Sequence, residues 1–165
     1  MPEDWWVWKY DDSSFHRNQF QSFAGGSKAV DAVALAGDGT LWLIEVKDYR
    51  RHRRSKPSSV FAEVAAKAQA TLAGLATARV RANDQAEQQL AHKAMRCSRI
   101  RVALQLAQPV SRSRLFPQVV DPADAQIQLR RAVRAVDPHA LCAARSIGND
   151  HFPWSTVALP ASTSS

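Results

Sequence analysis

The stretch from Ala29 to Lys47 constrains the fold most. Two runs of strand-forming residues, Ala29-Val30-Asp31-Ala32-Val33-Ala34-Leu35 and Thr40-Leu41-Trp42-Leu43-Ile44-Glu45-Val46-Lys47, lie on either side of Gly37-Asp38-Gly39. Apolar, β-branched and aromatic runs around a Gly-Asp-Gly break predict an antiparallel hairpin. The second run is nearly all apolar as far as Ile44. That is expected of an interior strand covered on both faces. Glu45 and Lys47 at its end therefore demand partners.

Residues 45 and 47 share one strand face. Where Asp31 points depends on the turn. A hairpin centred on Asp38 sets position 31 opposite position 45. Directly opposed residues share a face, with Cβ atoms about 4.5–5.5 Å apart. A two-residue turn at Asp38-Gly39 would instead pair 31 with 46 and send Asp31 to the other face. Convergence of Asp31, Glu45 and Lys47 thus requires an odd-numbered loop, with Gly39 at positive φ, or a bulge.

Two carboxylates so close repel unless a cation lies between them. Oxygen ligands of this kind favour Mg²⁺ or Mn²⁺ over zinc, and the Val46 backbone carbonyl is a candidate to complete the metal sphere. A cation there would neutralise charge on a phosphate oxygen, while Lys47 orients water or stabilises the transition state. That chemistry suits phosphodiester hydrolysis. The plain alternative makes Asp31 an edge-strand polar residue and Glu45–Lys47 a surface ion pair worth little. The buried character of Leu41 to Val46 weighs against it.

The chain carries a net charge of +7 and a pI near 10.0, which favours capture of polyanions, nucleic acid first among them. Arg50, Arg51, Arg53, Arg54 and Lys56 follow directly on the hairpin. Alone, such a run is a solvated loop. Beside a metal site it would grip a phosphate backbone without reading sequence. With 165 residues, 45% hydrophobic and 22% charged, the expectation is one globular domain over 1–160 and a disordered tail over 161–165. Cys97 and Cys142 belong to no Cys-x-x-Cys pair and the histidines show no metal spacing, so both thiols are expected reduced in a cytoplasmic protein. The acidic start lacks a signal core, and no apolar run is long enough to span a membrane, so no membrane partner is expected.

Elsewhere, Trp5, Trp6 and Trp8 are expected to pack rather than to stack on bases. A short helix is expected within Asp11 to Phe23, capped by Ser13 or Ser14. The apolar positions Phe61, Val64, Ala65, Ala68, Leu72 and Leu75 predict a helix from Val60 to about Arg81, with Lys67 and Gln69 at the rim of its stripe. A more polar helix over about Asp84 to Arg96, with Asp84 and Glu87 as a capping box, either follows it or continues it. A strand is expected over Arg99 to Leu106, and a helix from Pro122 to about Val136. Short strands are expected near Ala140 to Ala144 and Trp154 to Leu159.

Val30-Asp31 in the first strand and Ile44-Glu45-Val46-Lys47 in the second resemble the PD-(D/E)XK nuclease superfamily. The element order fits over about two-thirds of the chain. The resemblance implies a restriction-endonuclease-like αβββαβ core, with a central mixed sheet flanked by helices. It implies Mg²⁺-dependent cleavage of DNA, or less often RNA. Asp31 and Glu45 would be metal ligands, Lys47 the catalytic lysine, and Gln69 the helix glutamine seen in some members. Valine rather than proline precedes Asp31, and the first core helix is poorly defined. Two alternatives remain open: a nucleic-acid-binding module of the same fold without turnover, and a protein-interaction subunit docking through an exposed tryptophan patch. Cutting both strands of a duplex would call for a homodimer.

Overall fold

The structure, a computed structural model, describes residues 4–50, 58–108, 120–143 and 152–154. Its strands are β1 (Trp6–Trp8), β2 (Ala32–Leu35), β3 (Thr40–Asp48), β4 (Arg99–Ala107) and β5 (Leu141–Ala143). They form one mixed sheet in sequence order. β1, β2 and β3 run antiparallel, whereas β4 and β5 run parallel to β3. Parallel neighbours need crossover connections. The helices α1 (Val60–Arg81) and α2 (Gln85–Ala94) supply the first, and α3 (Pro122–Ala132) lies in the second. The fold is α/β with a central mixed sheet, as the sequence indicates.

The two sheet faces are unlike. Leu41 and Leu43 of β3 and Val102, Leu104 and Leu106 of β4 pack with buried residues of α1, α2 and α3. The alternate residues Trp42, Ile44, Ala103 and Ala143 join Ala34, Ala36 and Phe152 in a smaller cluster. The described helices therefore flank one face. Residues 40 to 45 of β3 are all buried, which is the interior strand expected from the apolar run.

The hairpin turn decides the register. Gly39 adopts φ 79°. Its N–H donates to the Ala36 carbonyl at 3.0 Å, and the Ala36 N–H donates to Thr40 at 2.9 Å. The connection is thus the odd-numbered loop, Gly37 to Gly39, with a left-handed third residue. Asp38 Oδ1 accepts the Thr40 N–H at 2.9 Å and stiffens it. Pairing of Ala32 with Ile44 and of Leu35 with Leu41 follows. β2 is shorter than the apolar run suggests: its pairing stops at Ala32, because the Val30 N–H turns to Thr71 Oγ1 of α1 at 3.0 Å.

The tryptophan-rich start forms the edge strand β1. Trp5 stacks on Trp42 and Trp8 meets Tyr10 edge-on, so two of the three rings pack. Trp6 is 56% exposed and lies under the Lys93 ammonium, 3.7 Å from its centroid. In place of a regular helix after Asp11, the chain makes a 3-10 turn at Tyr10–Asp12, a π-helical turn at His16–Phe20 and a further turn at Phe23–Gly25. Ser13 Oγ accepts the His16 N–H at 3.2 Å.

Asp84 caps α2 by accepting the Ala86 and Glu87 N–H groups. Glu87 does not close a capping box. Its carboxylate accepts from the Ser14 N–H, the Ser14 hydroxyl and the Phe15 N–H at 2.7–3.0 Å, pinning the 10–25 segment to the helical layer. α1 and α2 are separate helices, parted at Ala82 by extended backbone. α3 ends at Ala132, short of Val136. Among the described residues no helix is long and apolar enough to cross a membrane. Of the short strand expected after Trp154, residues 155–159 lie outside the described residues.

Alanine at position 39 would be held at positive φ, with its Cβ 3.2 Å from Ser98 Oγ. Gly39→Ala is expected to lower stability by about 1–2 kcal/mol. Urea denaturation checks this, and unchanged stability would show that the turn tolerates a side chain.

Candidate active site

Glu45 is fully buried at the end of the interior stretch of β3. It faces the helical layer, two residues before Lys47 on the same side. A buried carboxylate costs several kcal/mol unless cations and hydrogen bonds offset the lost hydration. Two ammonium groups meet it. Lys47 Nζ lies 2.5 Å and Lys67 Nζ 2.6 Å from Glu45 Oε1. Lys67, on α1, also reaches Asp31 Oδ1 at 3.4 Å. Burial pulls the Lys47 ammonium towards the neutral form, but the hydrogen bond and charge of Glu45, then the charge of Asp31, raise its pKa above the ordinary lysine value.

Asp31 immediately precedes β2, at the position opposite Glu45 in the continued register. Its Oδ2 accepts the Val46 N–H at 2.7 Å. The carboxylate thus takes the amide that the departing chain leaves unpaired, and this fixes it beside Glu45. The other Glu45 oxygen, Oε2, is buried without a hydrogen-bond partner. The Tyr10 hydroxyl, both His16 ring nitrogens and the Gln105 amide are likewise buried without a partner, so Glu45 Oε2 is set apart by its charge and by the second carboxylate beside it.

Among the described residues no group of three or more His, Cys, Asp or Glu gathers at one point. The acidic donors here are Asp31 and Glu45, with the Val46 backbone beside them. Hard oxygen donors of this kind suit Mg²⁺ or Mn²⁺, which keep several waters and need few protein ligands. The unpartnered Glu45 Oε2 fits such a cation.

Asp31, Glu45 and Lys47 therefore come together as the sequence pattern requires. Gln69 is exposed and lines, with Lys47 and Lys67, the cavity beside the carboxylates, and it is Lys67 that bridges them. The signal for this was present. Val60, Phe61, Val64, Ala68, Thr71, Leu75 and Ala78 form the buried stripe of α1. At 3.6 residues per turn, Lys67 lies about 60° from the centre of that stripe and Gln69 about 140°.

Of the basic run, Arg50 is described: its guanidinium is tied to Asp48 at 2.6–3.1 Å. Arg51, Arg53, Arg54 and Lys56 lie outside the described residues. Both cysteines are free. Burial raises the Cys97 thiol pKa and pushes that of Cys142 up to about 12, so neither is a poised nucleophile.

No family model matches the sequence, and no solved structure matches the fold. Among curated proteins, the chain is similar to a cysteine--tRNA ligase of Neisseria meningitidis serogroup A / serotype 4A (strain DSM 15465 / Z2491). The two are 31% identical over 154 residues, covering 75% of this chain and 22% of the ligase. The chain thus spans about a fifth of that relative's length, and the similarity concerns a segment of it.

Removing the Lys67 ammonium leaves Asp31 and Glu45 facing each other with Lys47 as the remaining cation. Lys67→Met is expected to cost about 1–3 kcal/mol of stability in EDTA. Millimolar Mg²⁺ is expected to recover much of that loss through binding to the folded state. Thermal melts with and without Mg²⁺ check this; a loss indifferent to Mg²⁺ would count against a cation site.

Proposed function

We propose that this chain is a metal-dependent nuclease of the PD-(D/E)XK type that hydrolyses phosphodiester bonds of nucleic acid, with DNA as the first substrate to test. The observation that carries the reading is the pair formed by Asp31 and Glu45. One carboxylate is fully buried with an unpartnered oxygen, and both lie within reach of the Lys67 ammonium. Asp31, Glu45 and the Val46 carbonyl would hold the cation. When bound, it would supply Lewis-acid stabilisation of the phosphate and acidify an attacking water.

The chain's own groups do the rest. Lys47 is held by Glu45 at the mouth of the site, where its ammonium can orient a water and meet charge building on phosphate oxygens. Lys67 can pass from the carboxylates to the substrate phosphate as the charge balance changes. Asp31 is held in place by the Val46 amide, so little ordering remains to be done on binding. The net charge of +7 favours approach of a polyanion.

The similarity to a segment of a cysteine--tRNA ligase, a protein named for its action on tRNA, is a reason to include RNA beside DNA in the substrate panel. The second reading is a nucleic-acid-binding module without turnover. The observation favouring it is that Lys67 and Lys47 already balance the two carboxylates.

Cleavage of single- and double-stranded DNA and of RNA with Mg²⁺, Mn²⁺ or EDTA tests the proposal. Metal-dependent cutting is expected, reduced on the order of 10²–10³-fold or more by Asp31→Asn, Glu45→Gln or Lys47→Met. Binding without cutting under every metal would favour the second reading.

A further inference from the structure

Next to the carboxylates lies a cavity of about 580 Å³, between α1 and the 20–28 segment, with Lys47 and Lys67 among its lining residues. Its volume falls within the roughly 300–1,000 Å³ typical of sites for small organic ligands. Its lining is mixed in a particular way. Lys28, Lys47 and Lys67 contribute cations, the last two shared with Glu45 and Asp31; Glu63 adds one carboxylate, which accepts from the Ser58 hydroxyl; and Phe20, Phe23 and the α1 alanines contribute apolar surface. Cations alone would serve a sugar–phosphate backbone. An aromatic wall beside them suits a ligand that is anionic at one end and planar and apolar at the other.

Phe23 is the ring available for stacking. It is 61% exposed and rests on Phe20, with centroids 5.2 Å apart and planes within 27°. It is supported by an unusual backbone. Ala24, Gly25 and Gly26 all have positive φ, at 52°, 82° and 123°. A Cβ at Gly25 or Gly26 would meet nothing within 4 Å, so the glycines serve the conformation of the turn rather than its space. Gln69 lines the same cavity and is exposed there. Its amide offers both donors and an acceptor to the edge of a planar heterocycle.

We infer that this cavity receives one unpaired nucleobase of the strand being cut, stacked on Phe23 with its edge met by Gln69. The substrate class is then single-stranded or locally opened nucleic acid rather than continuous duplex. A base within a duplex is stacked on both sides and cannot enter a side cavity without leaving the helix. Stacking on an aromatic ring tolerates any base, so the subsite selects for strand state and not for sequence. The inference rests on the nuclease reading, and it gives Gln69 a binding role in place of the catalytic one implied by the family resemblance.

The test is equilibrium binding in EDTA of a short single strand carrying one fluorescent aminopurine, and of the same strand in a duplex. Wild type, Phe23→Ala, Phe23→Trp and Gln69→Ala are compared, with cleavage measured in parallel in Mg²⁺ and with Asp31→Asn as the inactive control. Stronger binding of the single strand with quenching of the aminopurine is expected. Phe23→Ala should weaken that binding on the order of tenfold, and Phe23→Trp should restore it, which separates lost stacking from misfolding. Gln69→Ala should weaken it by a smaller factor. If Phe23→Ala binds and cuts the single strand as wild type does, while Asp31→Asn abolishes cutting, the base subsite is wrong and the nuclease reading stands. If wild type binds neither form of the nucleic acid, the nuclease reading fails and the subsite fails with it.

Discussion

A fully buried carboxylate at the end of an interior strand must be met by cations, and Glu45 is met by two. The Lys47 and Lys67 ammonium groups share its Oε1, tying β3 to α1 at the point where the sheet opens towards the cavity. Buried ion pairs are poor sources of net stability, because desolvation consumes most of the Coulombic gain. Two leucines in place of Glu45 and Lys67 would satisfy the same packing without that cost. The proposed cation site rests on this pair of carboxylates and on Glu45 Oε2, which has no partner among the described residues.

Two local departures from ideal structure build this cluster. The Gly37 to Gly39 loop has an odd number of residues and a left-handed Gly39, which sets positions 31 and 45 on one face. The chain then leaves the β2 ladder at Asp31, as the Val30 amide turns to Thr71 of α1. That departure frees the Val46 N–H for the Asp31 carboxylate. Regular pairing continued through Val30 would give Val46 a backbone acceptor and leave Asp31 without its anchor. The π-helical and left-handed turns between His16 and Gly26 form a second irregular region, and they border the cavity beside the same carboxylates.

Much of this was legible in the sequence. The hairpin follows from period-2 alternation and one turn signal, but the turn signal fits an odd or an even loop, and the Gly37 to Gly39 loop with left-handed Gly39 is what brings Asp31 beside Glu45. The bounds of α1 follow from its apolar stripe and from Ser59, whose hydroxyl accepts the Phe61 N–H. Other features were hidden for physical reasons. β1 is only three residues long, and Trp-Val-Trp reads equally as a packing plug. Glu87 has the spacing of a capping box, but its partners lie 73 and 72 residues away at Ser14 and Phe15, a contact no local pattern encodes. Lys67 lies at the rim of the helix stripe, as its spacing predicts, whereas the family pattern points to Gln69. The angular positions on α1 separate the two residues, and the geometry follows the angles.

The most direct measurement is the anomalous difference density of a crystal soaked in Mn²⁺, which locates the cation independently of any activity. A peak ligated by the Asp31 and Glu45 carboxylates is expected. Continued bridging of those two carboxylates by Lys67, with no peak between them at saturating Mn²⁺, would contradict it.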